Sequence, residues 1–461
     1  MKTILVLAPS VTAQIMAAVA EPMETAGVLL ASTTESNGEL RLFGREFIPV
    51  PEAAYLHRAD DALSIASNGY VPALARAETI HATAFFVHTH PGLGASPRAS
   101  SHDAIVDREL AELFRIRTGS PYYGALIFSP RPDSVAFTGH LADEAGLRRD
   151  IDRLWLAGER MQLLHAADAR LATPDPIFDR NVRAFGPAIQ TTLNDLKVAV
   201  VGCGGTGSAV TEQLVRLGVR DLILFDPDLL SASNVTRVYG STPADEGRPK
   251  VEILAEHAKR IAPDGQYEAV QSSITDVRVA RRLAEVDLVF GCTDDNAGRL
   301  VLSRLPTYLL TPVIDCGVLI SSGDDGRITG IDGRVTIVTP EGACLLCRGR
   351  IDVARAGAEL MQPAERLRLE TEGYAPALRG IEPAVVAFTT LVAATAVSEL
   401  LERLIGYGPS PRPGEVLLRC HEREISTNLA KPRARHYCNP ESHKVGIGIS
   451  DPFLELAWGT T

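Results

Sequence analysis

Residues 197–208 read KVAVVGCGGTGS, and the fold turns on how they are read. Lys197–Val201 is a short apolar run rich in β-branched residues, the mark of a buried strand. Gly202, Gly204, Gly205 and Gly207 follow, and Ala209–Leu217 then spaces its apolar residues as a helix does. Glycines between strand and helix permit a tight turn and let the backbone approach a ligand closely. The N-terminus of the helix leaves unpaired N–H groups for a phosphate. The next strand, Leu222–Phe225, ends in Asp226, where an acid commonly holds ribose hydroxyls. Strands continue at Val286–Phe290 and Val313–Asp315 with helical stretches between them, a pattern that predicts a parallel, doubly wound α/β sheet. No G-x-x-x-x-G-K-[ST] occurs, which excludes a P-loop ATPase. The loop alone does not separate NAD from ATP, so an NAD-dependent oxidoreductase stays open at this point.

Outward from that loop, the chain has 461 residues, room for about three domains. It is 45% hydrophobic and 22% charged, a globular balance that excludes disorder, collagen and coiled coil as the whole. No window is apolar enough for a membrane span. With 46 basic against 57 acidic residues the net charge is −11, which argues against a protein that coats nucleic acid. Seven cysteines scattered from 203 to 438 suggest reduced thiols or metal ligands rather than a disulfide framework. The first twenty residues imitate a signal peptide, but Pro9, Ser10, Thr12 and Gln14 interrupt the apolar run. A strand and a helix carrying Val11, Ile15, Met16 and Val19 read it better, and the cytoplasm is the expected location. The predicted organisation is a domain over 1–140, a connecting helix over 141–175, a second domain over 176–405 and a tail over 406–461. Within the second domain, 373–405 reads as a loop and then a long apolar helix.

In the first domain Phe85-Phe86-Val87-His88-Thr89-His90-Pro91 is an apolar strand ending in H-x-H. Residues two apart on a strand share a face, so both imidazoles can reach one ion. Ser100-Ser101-His102-Asp103 then opens a helix in which Ser100 or Ser101 can cap and Asp103 can add an oxygen ligand. Two histidines and an aspartate with an open position have the composition of a catalytic zinc site. Hydrolysis there also needs a carboxylate to shuttle the proton, and Glu24, just before the buried strand Gly27–Ala31, is the candidate. Taken alone, H-x-H-P is more often a satisfied polar edge than a metal site.

The four-part pattern, E-x-x-G, H-x-H-P and S-x-x-D, resembles the JAMM motif of the JAB/MPN metalloprotease family over about residues 1–135. The resemblance implies an α/β metalloprotease domain that cleaves peptide or isopeptide bonds after the C-terminal glycine of ubiquitin-like proteins. It implies Glu24 as general acid/base, His88, His90 and Asp103 as zinc ligands, and Ser100 as an oxyanion contact. The interval from His90 to Asp103 is two residues longer than usual for the family, which leaves His102 as the alternative ligand.

After Asp226 the second domain carries Asp228, Asn234, Arg237 and Lys250, a set for which hydride transfer has no evident use. Two cations and an amide suit a triphosphate whose charge must be neutralised during attack at phosphorus. Thr293-Asp294 at the end of the next strand places an acid where magnesium would bridge phosphate oxygens. As a set these resemble the ThiF/MoeB-like adenylyltransferases of the ubiquitin-activating type, over about residues 176–405. The resemblance implies a Rossmann-like fold, ATP and Mg2+, and adenylation of the C-terminal carboxylate of a ubiquitin-like or sulfur-carrier protein ending in glycine. By position, Gly202, Gly204, Gly205 and Gly207 would cradle the nucleotide, Asp226 hold the ribose, and Asn234, Arg237 and Lys250 the phosphates. Asp294 would act on magnesium, and Arg180 would reach the neighbouring subunit's site in a homodimer. A conjugating enzyme is a further implied partner; nucleic acid and membrane are not.

Cys344-Leu345-Leu346-Cys347 is a C-x-x-C knuckle that lacks the second C-x-x-C of the family. His436 with Cys438 is the preferred completion of a structural zinc site, Cys420 with His421 the alternative, and unliganded thiols the remaining reading. If zinc takes four donors, no evident cysteine is left for a thioester and the reaction can stop at the acyl-adenylate. Otherwise Cys344 or Cys347 is the thiol. The combination resembles bacterial JAB–ThiF fusions of ubiquitin-like modification systems, several of which serve anti-phage defence. Sulfur-carrier activation and processing is the rival within the class, and a non-enzymatic scaffold with decayed sites the rival outside it.

Overall fold

The computed structural model of the chain describes residues 2–132, 134–169, 172–323, 325–361, 366, 368, 370 and 383–458. The loop expected at the start of 373–405 lies outside them. The chain divides into two compact units, Met1–Leu171 with Val445–Ile449, and Ala172–Lys444 with Ser450–Thr461. No helix among the described residues is long and apolar enough to cross a membrane.

The first unit is built on β1 (Lys2–Leu7), β2 (Ala26–Ser36), β3 (Glu39–Pro49), β4 (Tyr55–Arg58), β5 (Leu63–Ile65), β6 (Thr83–Thr89), β7 (Tyr123–Arg131), β8 (Ser134–Ala142), β9 (Arg148–Asp150), β10 (Arg153–Ala157) and β11 (Met161–His165). Nine of these form one mixed sheet in the order β11-β10-β1-β3-β2-β6-β7-β8-β9, while β4 and β5 make a separate hairpin. Val11, Ile15, Ala18 and Val19 are buried on the helix Pro9–Val19, so the opening strand–helix reading describes this segment. The helix Ser101–Thr118 crosses between β6 and β7, which run parallel.

The connecting helix expected over 141–175 does not form. Residues 148–165 make β9, β10 and β11, and β10 inserts beside β1 as its parallel neighbour. The apolar spacing that suggested a helix belongs to a strand covered on both faces: all five residues of β10 are buried, Trp155 among them. Long-range pairing overrides local periodicity here.

The second unit carries β12 (Lys197–Val201), β13 (Asp221–Phe225), β14 (Gln266–Val270), β15 (Leu288–Gly291), β16 (Val313–Ser322), β17 (Ile328–Val338), β18 (Glu415–Arg419) and β19 (Glu424–Asn428). They form one sheet in the order β14-β13-β12-β15-β16-β17-β18-β19. The pairs from β14 to β16 are parallel and the rest antiparallel, so the doubly wound part is as expected but the sheet is mixed. The residues read as a tail instead supply its last two strands. The apolar helix forms over Val386–Ile405 and ends at Gly406 in the left-handed region.

Candidate functional site

In the first unit the register of β2 against β6 does the positioning. Ala26 pairs with His88, so Glu24, two residues earlier, falls opposite His90. The bonds Thr89 N–H to Thr25 O (2.9 Å) and Thr25 N–H to Thr89 Oγ1 (3.0 Å) hold that end of the ladder closed. Glu24 Oε1 lies 3.9 Å from His90 Nε2. Asp103 arrives from the start of the helix Ser101–Thr118 through a capping box: Ser100 N–H donates to Asp103 Oδ2 (2.6 Å), and Asp103 N–H donates to Ser100 Oγ (3.1 Å). That arrangement leaves Asp103 Oδ1 3.6 Å from His88 Nε2 and Oδ2 3.9 Å from His90 Nε2. One donor atom each from His88, His90 and Asp103 lies within 4.8 Å of the others. His102, on the same helix, is exposed and outside the cluster.

His88 is buried and neither of its ring nitrogens has a hydrogen-bond partner among the described residues, a cost that an ion on one nitrogen removes. This fit, together with a hard and borderline donor set of two imidazoles and a carboxylate, suits zinc. Burial pushes the Glu24 carboxyl up to about 7, against the lowering influence of His88, so its proton is exchangeable near neutrality. The residues line a cavity of about 560 Å³.

In the second unit β12 runs into the glycine loop and the helix Gly205–Leu217. Gly202 has φ +90°, and a Cβ there would sit 2.7 Å from the backbone of Cys292. At Gly207 a Cβ would lie 1.8 Å from Gly202 O, so the loop and the first helical turn touch backbone to backbone. Gly204 caps that helix without a side-chain bond, and its first N–H groups stay available to an anion. Asp226, buried at the end of β13, accepts from Cys203 N–H (2.6 Å) through Oδ2 and from Asp228 N–H (2.8 Å) through Oδ1. It pins the loop as well as offering lone pairs outward. Burial raises its pKa, opposed mainly by the Lys250 ammonium.

Lys250 Nζ is 2.7 Å from Asp228 Oδ2, a partnership the sequence reading had not paired. Asn234 accepts from Ser231 N–H (3.2 Å), and the Arg237 guanidinium donates to Ser233 O (3.0 Å). Asp295 is spent as the cap of the helix Asn296–Leu302, whereas the neighbouring Asp294 is exposed. A cavity of about 980 Å³ takes in the glycine loop, Asp226, Arg237, Lys250 and Asp294. Asn234 is not among its lining residues, and neither is Arg180, which is exposed on the helix Asp179–Phe185. Sequence reasoning missed the far wall, where fully buried Asp315 holds Arg334 (2.7 Å) and Arg299 (3.3 Å). The only signal was an acid inside an apolar strand.

A model of the ThiF family matches residues 178–439, which contain the glycine loop and this cavity. The chain belongs to the ThiF family. The chain is 31% identical over 172 residues to the molybdopterin-synthase adenylyltransferase of Escherichia coli, covering 37% of this chain and 65% of that one. It is 28% identical over 162 residues to the SAMP-activating enzyme E1 of Haloferax volcanii, covering 35% and 56%. It is 30% identical over 168 residues to the ubiquitin-like modifier-activating enzyme 5 of Dictyostelium discoideum, covering 34% and 42%. The chain therefore spans less than two thirds of the length of each of these relatives.

The ThiF part also carries a third constellation. Cys344, Cys347, His436 and Cys438 converge, with His436 Nδ1 3.2 Å from Cys438 Sγ, 3.5 Å from Cys347 Sγ and 3.6 Å from Cys344 Sγ. Cys347 Sγ is 3.6 Å from Cys438 Sγ. Donors on a zinc tetrahedron with bonds of roughly 2.0–2.3 Å are separated by about 3.3–3.8 Å, so these four fit that ion. The hydrogen bond between Cys344 and Cys438 pulls the Cys344 thiol well below its ordinary range and pushes the Cys438 thiol far up. Cys420 and His421 lie elsewhere, with His421 Nδ1 accepting from Ile331 N–H (3.1 Å).

Proposed function

We propose that the ThiF part adenylates the C-terminal carboxylate of a ubiquitin-like or sulfur-carrier protein at the expense of ATP. The observation that carries this is the single cavity that collects the glycine loop, Asp226, Arg237, Lys250 and Asp294. Asp226 holds the ribose, the loop N–H groups and the two cations take the phosphates, and Asp294 is positioned to hold Mg2+. Neutralising the triphosphate lowers the barrier to attack by a carboxylate on the α-phosphorus, with pyrophosphate leaving. An oxidoreductase has no use for Arg237 and Lys250 so placed. ATP–pyrophosphate exchange by the purified chain, with and without a ubiquitin-like protein encoded beside its gene, tests the reading; silence with a verified partner overturns it.

The activation of a sulfur carrier is as well supported as that of a modifier, because the chain matches a molybdopterin-synthase adenylyltransferase and a ubiquitin-like modifier-activating enzyme to a similar degree. Cys344, Cys347 and Cys438 lie in the four-donor cluster, burial pushes the Cys203 thiol far up, the hydrogen bond with Cys316 and burial do the same to Cys292, and Cys420 stays half-buried outside the cluster. We propose a structural zinc at that cluster, a homodimer that brings Arg180 to the neighbouring nucleotide, and a conjugating enzyme as a further partner where the product is passed on.

For the first unit we propose a zinc-dependent peptidase or isopeptidase of the JAMM kind, acting after the C-terminus of such a protein. His88, His90 and Asp103 hold the ion, which supplies Lewis acidity when bound. Glu24 moves the proton from the attacking water to the leaving amine, and Ser100, whose oxygen accepts from Asp103, keeps its own proton to donate to a developing oxyanion. Glu24→Gln that retains zinc and loses cleavage of a ubiquitin-like fusion supports this reading. Retained cleavage removes Glu24 from its role.

A further inference from the structure

The cavity of the first unit does not end at the metal-ligand cluster. One turn beyond Asp103 on the same helix, buried Asp107 projects into it. Arg148 donates to Asp107 Oδ2, His140 Nε2 stands 3.3 Å from that oxygen, and the buried Tyr123 faces the same carboxylate. Asp107 Oδ1 is buried without a hydrogen-bond partner. Cross-strand register places Phe86, Ala125, His140 and Asp150 in one row, and His88, Ile127 and Thr138 in the next row of that face.

The floor between the two ends is thus apolar, made by Phe86, Ala125 and Ile127, with Val106 above it. Two strand spacings and one row separate His140 from His88, about 10–12 Å. An extended chain covers that distance in about three residues, fewer if a long side chain spans part of it. The charge is one-sided: Glu24, Asp60, Asp61, Asp103, Asp107 and Asp150 line the cavity, and among the described residues Arg148 is its one lysine or arginine. It stays strongly negative with a divalent ion in place.

We propose that this far end is a specificity site for a basic side chain of the polypeptide being cleaved, lying within three residues of the scissile bond, with Asp107 and Asp150 receiving its charge and His140 held by Asp107 beside it. A lysine or arginine fits because its aliphatic stem can lie on Ala125 and Ile127 while its head reaches the carboxylates. Arg148 meets one oxygen of Asp107 and the second is buried, so the exposed Asp150 meets the incoming cation while the Asp107 carboxylate adds its charge behind it. The inference rests on reading the His88, His90 and Asp103 cluster as a hydrolase.

The test uses the full chain carrying Glu24→Gln and loaded with zinc, so that binding is read without turnover. Synthetic peptides with a central Gly-Gly carry arginine, alanine or glutamate at each of three positions on either side of the scissile bond. At one of these positions arginine should tighten binding by about tenfold over alanine, the scale of a hydrogen bond to a charged group. Asp150→Lys, at an exposed position, should erase that preference and favour glutamate. Equal affinity for all peptides, absence of binding by any of them, or an arginine preference unmoved by Asp150→Lys overturns the proposal. Cleavage by the zinc-loaded wild type, measured in parallel, separates the two readings. Lost cleavage with arginine-selective binding intact removes the hydrolase alone, whereas cleavage without selectivity removes the specificity site alone.

Discussion

Gly207→Ala is the sharpest test of the nucleotide loop, because its cost follows from one distance. The added Cβ would stand 1.8 Å from Gly202 O, whereas such contacts settle near about 3.4 Å, so backbone must part by about 1.5 Å. Neither side can give easily: a Cβ on Gly202 would itself meet Cys292 backbone at 2.7 Å, and the helix behind Gly207 buries Ser208, Ala209 and Val210. A displacement of about 1 Å in a positioning element costs on the order of a hundredfold in rate. Gly207→Ala should therefore lower ATP–pyrophosphate exchange by at least about a hundredfold, with ATP affinity falling alongside. Gly204→Ala is the control. A Cβ there meets nothing within 4 Å and its φ is −75°, so the fold should survive unchanged. The open space it fills is where phosphate would lie, so ATP binding should weaken while thermal stability holds. Wild-type exchange in Gly207→Ala, or full ATP affinity in both variants, would refute the placement of phosphates on this loop.

Zinc analysis should find two ions per chain, one for each donor group, and one in Cys347→Ser, with the second unit losing several kcal/mol of stability by differential denaturation. An unchanged zinc content in that variant counts against the structural site. In the metal-free chain Glu24 should titrate near 7 by NMR. Its folded pKa lies above the ordinary value of 4.5, so the stability it contributes is fully present below pH 4.5 and is lost as pH rises through about 7. Titration at an ordinary carboxylate pKa would contradict the burial that raises it. Arg180→Ala and Asp294→Ala should each abolish exchange, and mixing the two should restore part of it if Arg180 serves the neighbouring subunit. No recovery in a demonstrated mixed dimer removes that role.

The sequence alone determined the elements whose chemistry is local. Strand, glycine loop and helix over 197–217 follow from composition and spacing, because a left-handed turn and a close backbone approach admit glycine almost alone. The paired histidines at the end of β6 and a helix start capped by Ser100 or Ser101 were legible for the same reason, since short offsets fix which groups share a face or a helix end, while the structure selects Ser100 as the cap. Tertiary structure alone decided what meets across long intervals. Trp155 and its neighbours carried a helical spacing, and only pairing beside β1 makes them a strand. His436 and Cys438, preferred from the sequence over Cys420 and His421, converge on Cys344 and Cys347 from some ninety residues away, and only the fold selects between those two pairs. Residues read as a tail become β18 and β19 because β17 offers them an unpaired edge. Nothing in the sequence singles out Asp107 and Asp150; the sheet register sets them at one end of a cavity whose other end holds His88. Local patterns report the forces acting within a few residues. The burial of β10, the four-donor cluster and the reach of the cavity depend on contacts that no short window of sequence contains.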